Sequence, residues 1–244
     1  MGALTYLGAY YGWTLLGVLG AFAVLLAFFF TSIALSRVGI ARKQRLIDLS
    51  KGGPRDAWQV AANGGVATLC AVIAALLSRG SGAPPHVAYA MFWAYAGAYA
   101  AATADTWATE IGSAFGGTPL SLAGFQRVAP GLSGGVTLVG TVAMIAGAAW
   151  IAFVWSALAG GGFAFAVVTV AGCAGALVDS LLGATLQSMF RCPKCERTTE
   201  LELHVCGTQT IAERGLPWLT NDAVNAIATL TGAVVAGGLF LALT

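Results

Sequence analysis

Residues 8 to 33 read GAYYGWTLLGVLGAFAVLLAFFFTSI. The run holds no charged side chain, and at about 1.5 Å of rise per residue it is long enough to cross a hydrocarbon core of roughly 30 Å. Five more windows have the same character, at about 58 to 78, 86 to 104, 134 to 156, 161 to 183 and 223 to 243. A helix satisfies its own backbone hydrogen bonds, as lipid requires. The whole composition agrees: 58% of residues are hydrophobic, only 9% are charged, and the mean hydropathy is +0.80. A water-exposed surface could not be built from that mixture. The expected fold is an all-α polytopic membrane helix bundle, with about six transmembrane helices forming a single domain over residues 1–244. The N-terminal run is expected to be the first helix rather than a signal peptide, because it lacks a basic leader and exceeds the length of a signal core.

Charge placement sets the expected orientation. The first connection carries Arg37, Arg42, Lys43, Arg45, Lys51 and Arg55, the third Arg127, and the fifth Arg191, Lys194, Arg197 and Arg214, leaving only Arg79 of the 12 basic residues on the other side. The positive-inside rule then puts these connections in the cytoplasm and both termini outside. Short connections without sorting signals point to a prokaryotic plasma membrane.

The polar residues within the spans gather at that same end. Asn63 is expected to open the second helix, Asp105 to close the third, Ser133 to precede the fourth, and Asp179 to lie near the end of the fifth, while Asn221, Asp222 and Asn225 open the sixth. At 100° per residue, Asp105, Thr106, Thr109, Glu110 and Ser113 keep to one broad face, and Asp179, Gly183 and Gln187 share another. Arg55, Gln59 and Asn63 form a third stripe. An ionisable side chain at membrane depth costs about 2.5–3.5 kcal/mol or more, so such groups default to functional sites facing the bundle interior. The bland alternative is a set of solvated interfacial residues that cap helices and pair with one another.

Asn63-Gly64-Gly65-Val66 is expected to begin the second helix and Ser133-Gly134-Gly135-Val136 the fourth, each starting an outward span, and the returning spans end in Ala104-Asp105-Thr106 and Val178-Asp179-Ser180. These echoes suggest a parallel duplication of helix pairs 2–3 and 4–5. It would set two glycine-rich helix N-termini, suited to an anion, beside carboxylates suited to a hard cation such as Mg²⁺. Close packing of helices through small residues would equally explain the glycines.

Between the fifth and sixth spans, residues 188–217 form a polar loop holding Cys192-Pro-Lys-Cys195 and His204-Val-Cys206. Four ligands at this spacing suit a structural Zn²⁺ knuckle with no open coordination position. A disulfide is disfavoured in a cytoplasmic loop.

Several of these stretches together resemble an integral membrane family formerly called domain of unknown function 92, which includes transmembrane protein 19 and the plant phytyl-phosphate kinase. They are Ala104-Asp-Thr-Trp-Ala-Thr-Glu-Ile-Gly112, Ser133-Gly-Gly-Val-Thr137, Asp179-Ser-Leu-Leu-Gly-Ala-Thr-Leu-Gln187, the Cys192 to Cys206 loop, and Trp218-Leu-Thr-Asn-Asp-Ala-Val-Asn225, covering the chain from about residue 36 to its end. This chain reads Gly131-Leu-Ser-Gly-Gly-Val136 where the family usually has Gly-Thr-Asn-Gly-Gly-Val, and Thr109 where Ser is usual. The resemblance implies phosphoryl transfer from a nucleoside triphosphate, CTP favoured, to an isoprenoid monophosphate held in membrane lipid. On that expectation Asp105, Glu110, Asp179 and Asp222 hold catalytic Mg²⁺. Asn63, Asn221 and Asn225 orient phosphates or metal-bound water. Gly64, Gly65, Ser133, Gly134 and Gly135 line the phosphate site, and Arg37, Lys43, Arg55 and Arg127 hold phosphate oxygens. Basic residues beside spans more often meet lipid headgroups.

No P-loop, dinucleotide-binding glycine motif or Ser-His-Asp set occurs, and no nucleic-acid partner is expected. The competing readings are a transporter for an anionic metabolite or lipid, a lipid cytidylyltransferase, and a non-catalytic scaffold. Transporters usually place polar groups near the bilayer midplane, whereas the centres of these spans are almost wholly apolar.

Overall fold

The computed structural model describes residues 3–40, 56–79, 84–159 and 161–244. Among these, six long helices form the bundle: α1 (Ala3–Ser36), α2 (Ala57–Ser78), α3 (Pro85–Phe115), α4 (Leu138–Ala159), α5 (Gly161–Thr185) and α6 (Asn221–Leu243). Local chemistry sets their starts. Asp56 caps α2 by accepting the Gln59 N–H at 2.9 Å, Pro84 and Pro85 suit the first turn of α3, and the Thr137 hydroxyl accepts the Gly140 N–H at 2.9 Å below α4. Thr220 caps α6 through the Ala223 N–H. Each supplies a partner for an N–H, or removes one, that the helix itself leaves unsatisfied.

Five helices, all but α3, are long and apolar enough to cross a membrane. The third expected span differs from the rest for a physical reason. Helix α3 packs against all five others, and from Ala88 to Ala104 every residue except Met91 is buried. Its neighbours are protein rather than lipid, so small side chains replace the large apolar ones that lipid-facing helices need. Gly97 meets Gly232 of α6 backbone to backbone, and Gly172 of α5 sits against Ala100 and Ala148. Helix α3 is also longer than the expected window of 86 to 104: it runs on to Phe115, roughly 15 Å beyond Asp105 along the axis. Asp105 therefore lies inside the helix rather than at its end.

The end of the bundle where α3 begins is filled by aromatic rings. Trp93 packs on Phe240 with ring centroids 4.7 Å apart, on Phe163 at 5.6 Å and on Trp155 at 6.3 Å. At the other end two small β structures cover the helices. Strands β1 (Leu120–Ser121) and β2 (Gly135–Val136) pair antiparallel within the connection from α3 to α4. Strands β3 (Met189–Arg191), β4 (Thr198–Thr199) and β5 (Ile211–Arg214) form an antiparallel sheet in the order β4-β3-β5 between α5 and α6. This ribbon is cinched at its base, where Leu216 N–H donates to Leu186 O and Ser188 N–H donates to Leu219 O, both at 2.9 Å.

The glycine pairs take other roles than the expected helix N-termini. Asn63-Gly64-Gly65 lies in the second turn of α2, where backbone N–H groups are already spent on the helix; Gly64 faces the Tyr99 hydroxyl, and Gly65 is exposed with nothing beside it. Gly134 and Gly135 precede α4 altogether. Gly134 has φ +77° and lies so close to the Ala184 backbone of α5 that no Cβ fits, and Gly135 belongs to β2. The two echoing motifs thus occupy different local structures.

Candidate functional site

Helices α3, α5 and α6 meet where Gly175 touches Ala101 and the Ala228 carbonyl. One helical turn toward the β-covered end, that contact level becomes Asp179, Asp105 and the Asn225 turn. The charged groups acting on Asp179 are Asp105 and Glu200. Its Oδ2 atom is enclosed and has no hydrogen-bond donor among the described residues.

Glu200 follows β4, and the ribbon folds it back onto the loop before α4. Its Oε1 accepts from both the backbone N–H of Ser133, at 3.3 Å, and the Ser133 hydroxyl. Gln187, which is only 1% exposed, donates from Nε2 to Ser133 Oγ at 3.1 Å, and its buried Oε1 has no donor among the described residues. Burial pushes the Glu200 carboxyl above its usual range, while the Ser133 donors, Gln187 and the nearby Arg214 pull it back. Arg214 donates from its guanidinium to the carbonyls of Ala184 and Gly183, at 3.1 and 3.3 Å, which also caps the negative end of α5.

The remaining expected site residues divide. Asp222 sits half-buried in the first turn of α6, and Asn221 opens that helix. Glu110 is half-buried more than a turn beyond Asp105. Asn63 and Asn225 each turn a carboxamide N–H back to the carbonyl one turn earlier, Gln59 O at 3.0 Å and Asn221 O at 2.9 Å. Arg37 and Arg127 are exposed. Lys43 and Arg55 lie outside the described residues. Beside the cluster, Ala129, Leu132, Arg197 and Thr198 line an open cleft of about 250 Å³ between the loop and the ribbon.

The ribbon has its own cluster. The ligand atoms of Cys192, Cys195, His204 and Cys206 all lie within 4.8 Å of one another. Two tight turns bring them together: Glu196 N–H donates to Cys192 O at 2.9 Å with Glu196 at φ 54°, and Gly207 N–H donates to His204 O at 2.8 Å. Cys192 Sγ and Cys206 Sγ are 3.7 Å apart, close to the roughly 3.8 Å that a tetrahedral site with Zn–S bonds of about 2.3 Å demands. His204 Nδ1 lies 3.1 Å from Cys206 Sγ. Hydrogen bonding with Thr208 and His204 draws the Cys206 thiol down to about 6, toward the thiolate that a metal needs. Its hydrogen bond with Cys206 pushes Cys195 up to about 11. The geometry and chemistry of these four residues fit a structural metal.

With these features in place, the chain can be set against known proteins. The family model for integral membrane protein DUF92 matches residues 2–233. The chain belongs to that family. Among DUF92 relatives, Protein PGR of Arabidopsis thaliana is 33% identical over 68% of this chain and 64% of its own length, so the match spans a little under two thirds of the plant protein. An uncharacterized membrane protein of Synechocystis is 29% identical over 93% of this chain and 76% of its own. One from Methanocaldococcus jannaschii is 29% identical over 87% and 73%. No solved structure matches the chain. This DUF92 member is an integral membrane protein with a plant homologue and with relatives in bacteria and archaea.

Glu200 and Gln187 were not among the site residues expected from sequence. Gln187 shares the helical phase of Asp179, which was a usable signal. Glu200 gave none, standing in a polar loop beside Glu196, Glu202 and Glu213.

Proposed function

We propose that this protein transfers a phosphoryl group from a nucleoside triphosphate, CTP foremost, to an isoprenoid monophosphate, giving the diphosphate at the cytoplasmic face of the membrane. The observation that carries the reading is Asp179, with Asp105 and Glu200 as its charged neighbours and an enclosed Oδ2 without a hydrogen-bond donor among the described residues, at one end of an otherwise apolar bundle.

An isoprenoid phosphate keeps its tail in lipid and its head at the interface, so its kinase needs polar groups at a membrane end and not at mid-depth. The acceptor is already an anion, with a second pKa near 6, and needs no strong general base. Phosphoryl transfer then depends on alignment and charge neutralisation. Asp105 and Asp179, with Glu110 and Asp222 on the same side, would hold Mg²⁺, which when bound neutralises phosphate charge. Asn221 and Asn225 lie at the same level to orient phosphate oxygens. Arg37 and Arg127 would meet them from the aqueous side, and Ser133 would steady the loop above.

The transporter reading finds less support. Trp93, Trp155 and Phe240 fill the far end, and α3 is packed through small residues along its length.

Purified protein in detergent, given labelled CTP or ATP, Mg²⁺ and geranylgeranyl or phytyl monophosphate, should yield labelled isoprenoid diphosphate, and Asp105→Asn and Asp179→Asn should not. Labelled CMP-lipid would instead indicate a cytidylyltransferase. Flux into liposomes without turnover would indicate a transporter.

A further inference from the structure

The stretch from Arg191 to Thr210 has no apolar core of its own. Within it only Cys192, Thr199 and His204 are buried, and Cys192 and His204 are zinc-type ligands. It consists of two short hairpins. In the first, β3 pairs with β4 around Cys192 and Cys195. The second closes around His204 and Cys206, with His204 N–H donating to Thr208 O and Thr210 N–H donating to Glu202 O, both at 3.0 Å. A segment this small, without a core, draws its folding free energy from a bound metal where it has the ligands for one. Each hairpin contributes two of the four ligands, so a metal there cross-links them.

Glu200 stands at the join between the hairpins and reaches away from both. Its Oε1 accepts from the Ser133 N–H, at 3.3 Å, and from the Ser133 hydroxyl, whereas Glu202, two residues on, is exposed. The loop it meets is seated on the end of α5. Gly134 lies against the Ala184 backbone with no room for a Cβ, and Gln187 Nε2 donates to Ser133 Oγ at 3.1 Å. From the base of the ribbon, Arg214 grips the same turn of α5 through the Gly183 and Ala184 carbonyls. Loop, helix end and ribbon therefore share one junction. The two sides also face each other across the open cleft, Ala129 and Leu132 from the loop and Arg197 and Thr198 from the ribbon.

We infer that a metal bound by Cys192, Cys195, His204 and Cys206 clamps the loop before α4: by cross-linking the two hairpins it holds Glu200 on Ser133. Glu200 is the positioning residue that carries the coupling and is not itself a metal ligand. Such coupling is reciprocal, so the factor by which metal favours the docked loop is the factor by which the docked loop favours metal. The clamp shapes the cleft and stands apart from phosphoryl transfer.

Zn²⁺ is the probe, and hydrogen exchange read by mass spectrometry is the measurement. Intact protein in detergent is compared loaded with Zn²⁺ and stripped by a chelator, in parallel with Glu200→Ala and Glu202→Ala. In the parent, stripping should speed exchange in residues 131–136 about tenfold, the scale of losing a hydrogen bond to a charged group, and should leave the centres of α4 and α5 protected. Zn²⁺-loaded Glu200→Ala should show the loosened loop with its ribbon still protected, stripping should loosen that loop no further, and its Zn²⁺ affinity should fall by the same factor. Glu202→Ala should match the parent throughout. If Glu200→Ala gives no monodisperse peak, Glu200→Gln carries the test, with a smaller rise in loop exchange expected for an uncharged acceptor. A parent that retains no Zn²⁺ through gel filtration overturns the clamp. So does a loop whose exchange ignores Zn²⁺, or one that Zn²⁺ still protects in the Glu200 variant as strongly as in the parent. Turnover is no part of this readout: a protein that forms no isoprenoid diphosphate leaves the clamp standing, and a loop indifferent to Zn²⁺ leaves the phosphoryl-transfer reading standing.

Discussion

The same helices close the bundle at one end and open it to chemistry at the other. Helix α3 carries Tyr89 and Trp93 near its start and Asp105 two-thirds of the way along; α5 begins beside Phe163 and nears its end at Asp179; α6 opens with Asn221 and Asp222 and finishes at Phe240. At the aromatic end the rings fill space, and even the buried indole N–H of Trp155 has no acceptor among the described residues. That end keeps its polar imperfections because packing outweighs them. At the acidic end the imperfection is a charge: Asp179 has Asp105 and Glu200 as charged neighbours and an enclosed Oδ2 without a donor among the described residues, which packing alone does not offset. The contrast separates an end held together by packing from an end where charged groups are buried.

The comparison can be broken at its hinge. Gly97→Leu should abolish the folded bundle, because no Cβ fits against the Gly232 carbonyl; loss of the monodisperse peak in detergent is the measurement. Asp179→Asn should lower diphosphate formation by about 10³-fold, the scale of removing a group that stabilises transition-state charge. In metal-free buffer the same variant should melt no lower than the parent, since it removes a buried charge. Trp155→Ala, at the other end, should behave inversely. It should cost about 3 kcal/mol of stability by emptying a fully buried site, while diphosphate formation per folded molecule stays at the parental value. Ser133→Ala should have the smallest effect, about tenfold in turnover, since a hydrogen bond to a charged group is worth roughly 1.5–3 kcal/mol. A thermal shift from Ser133→Ala as large as that from Trp155→Ala would erase the distinction between the two ends.

Much of this was legible before any coordinates. Asp105, Asp179 and the Asn221-Asp222-Asn225 turn stand out in sequence because charged and amide groups are expensive in apolar helices. Cys192, Cys195, His204 and Cys206 stand out by spacing. Helix ends were less legible. The window expected to end near Asp105 continues to Phe115, and Gly134-Gly135 turned out to be a loop and strand pressed on Ala184 rather than a helix start. Hydropathy reports what a side chain avoids, not where a backbone stops.

The sequence by itself determined that this chain lives in a membrane as a helical bundle, and which end of it bears charge. Both follow from transfer free energies that act residue by residue. Only the tertiary structure decided that α3, the least lipophilic helix, is the centre, and that the ribbon folds Glu200 back onto Ser133, where Gln187 also binds. Those outcomes depend on which surfaces meet across tens of residues, and no local pattern of polarity encodes such a meeting.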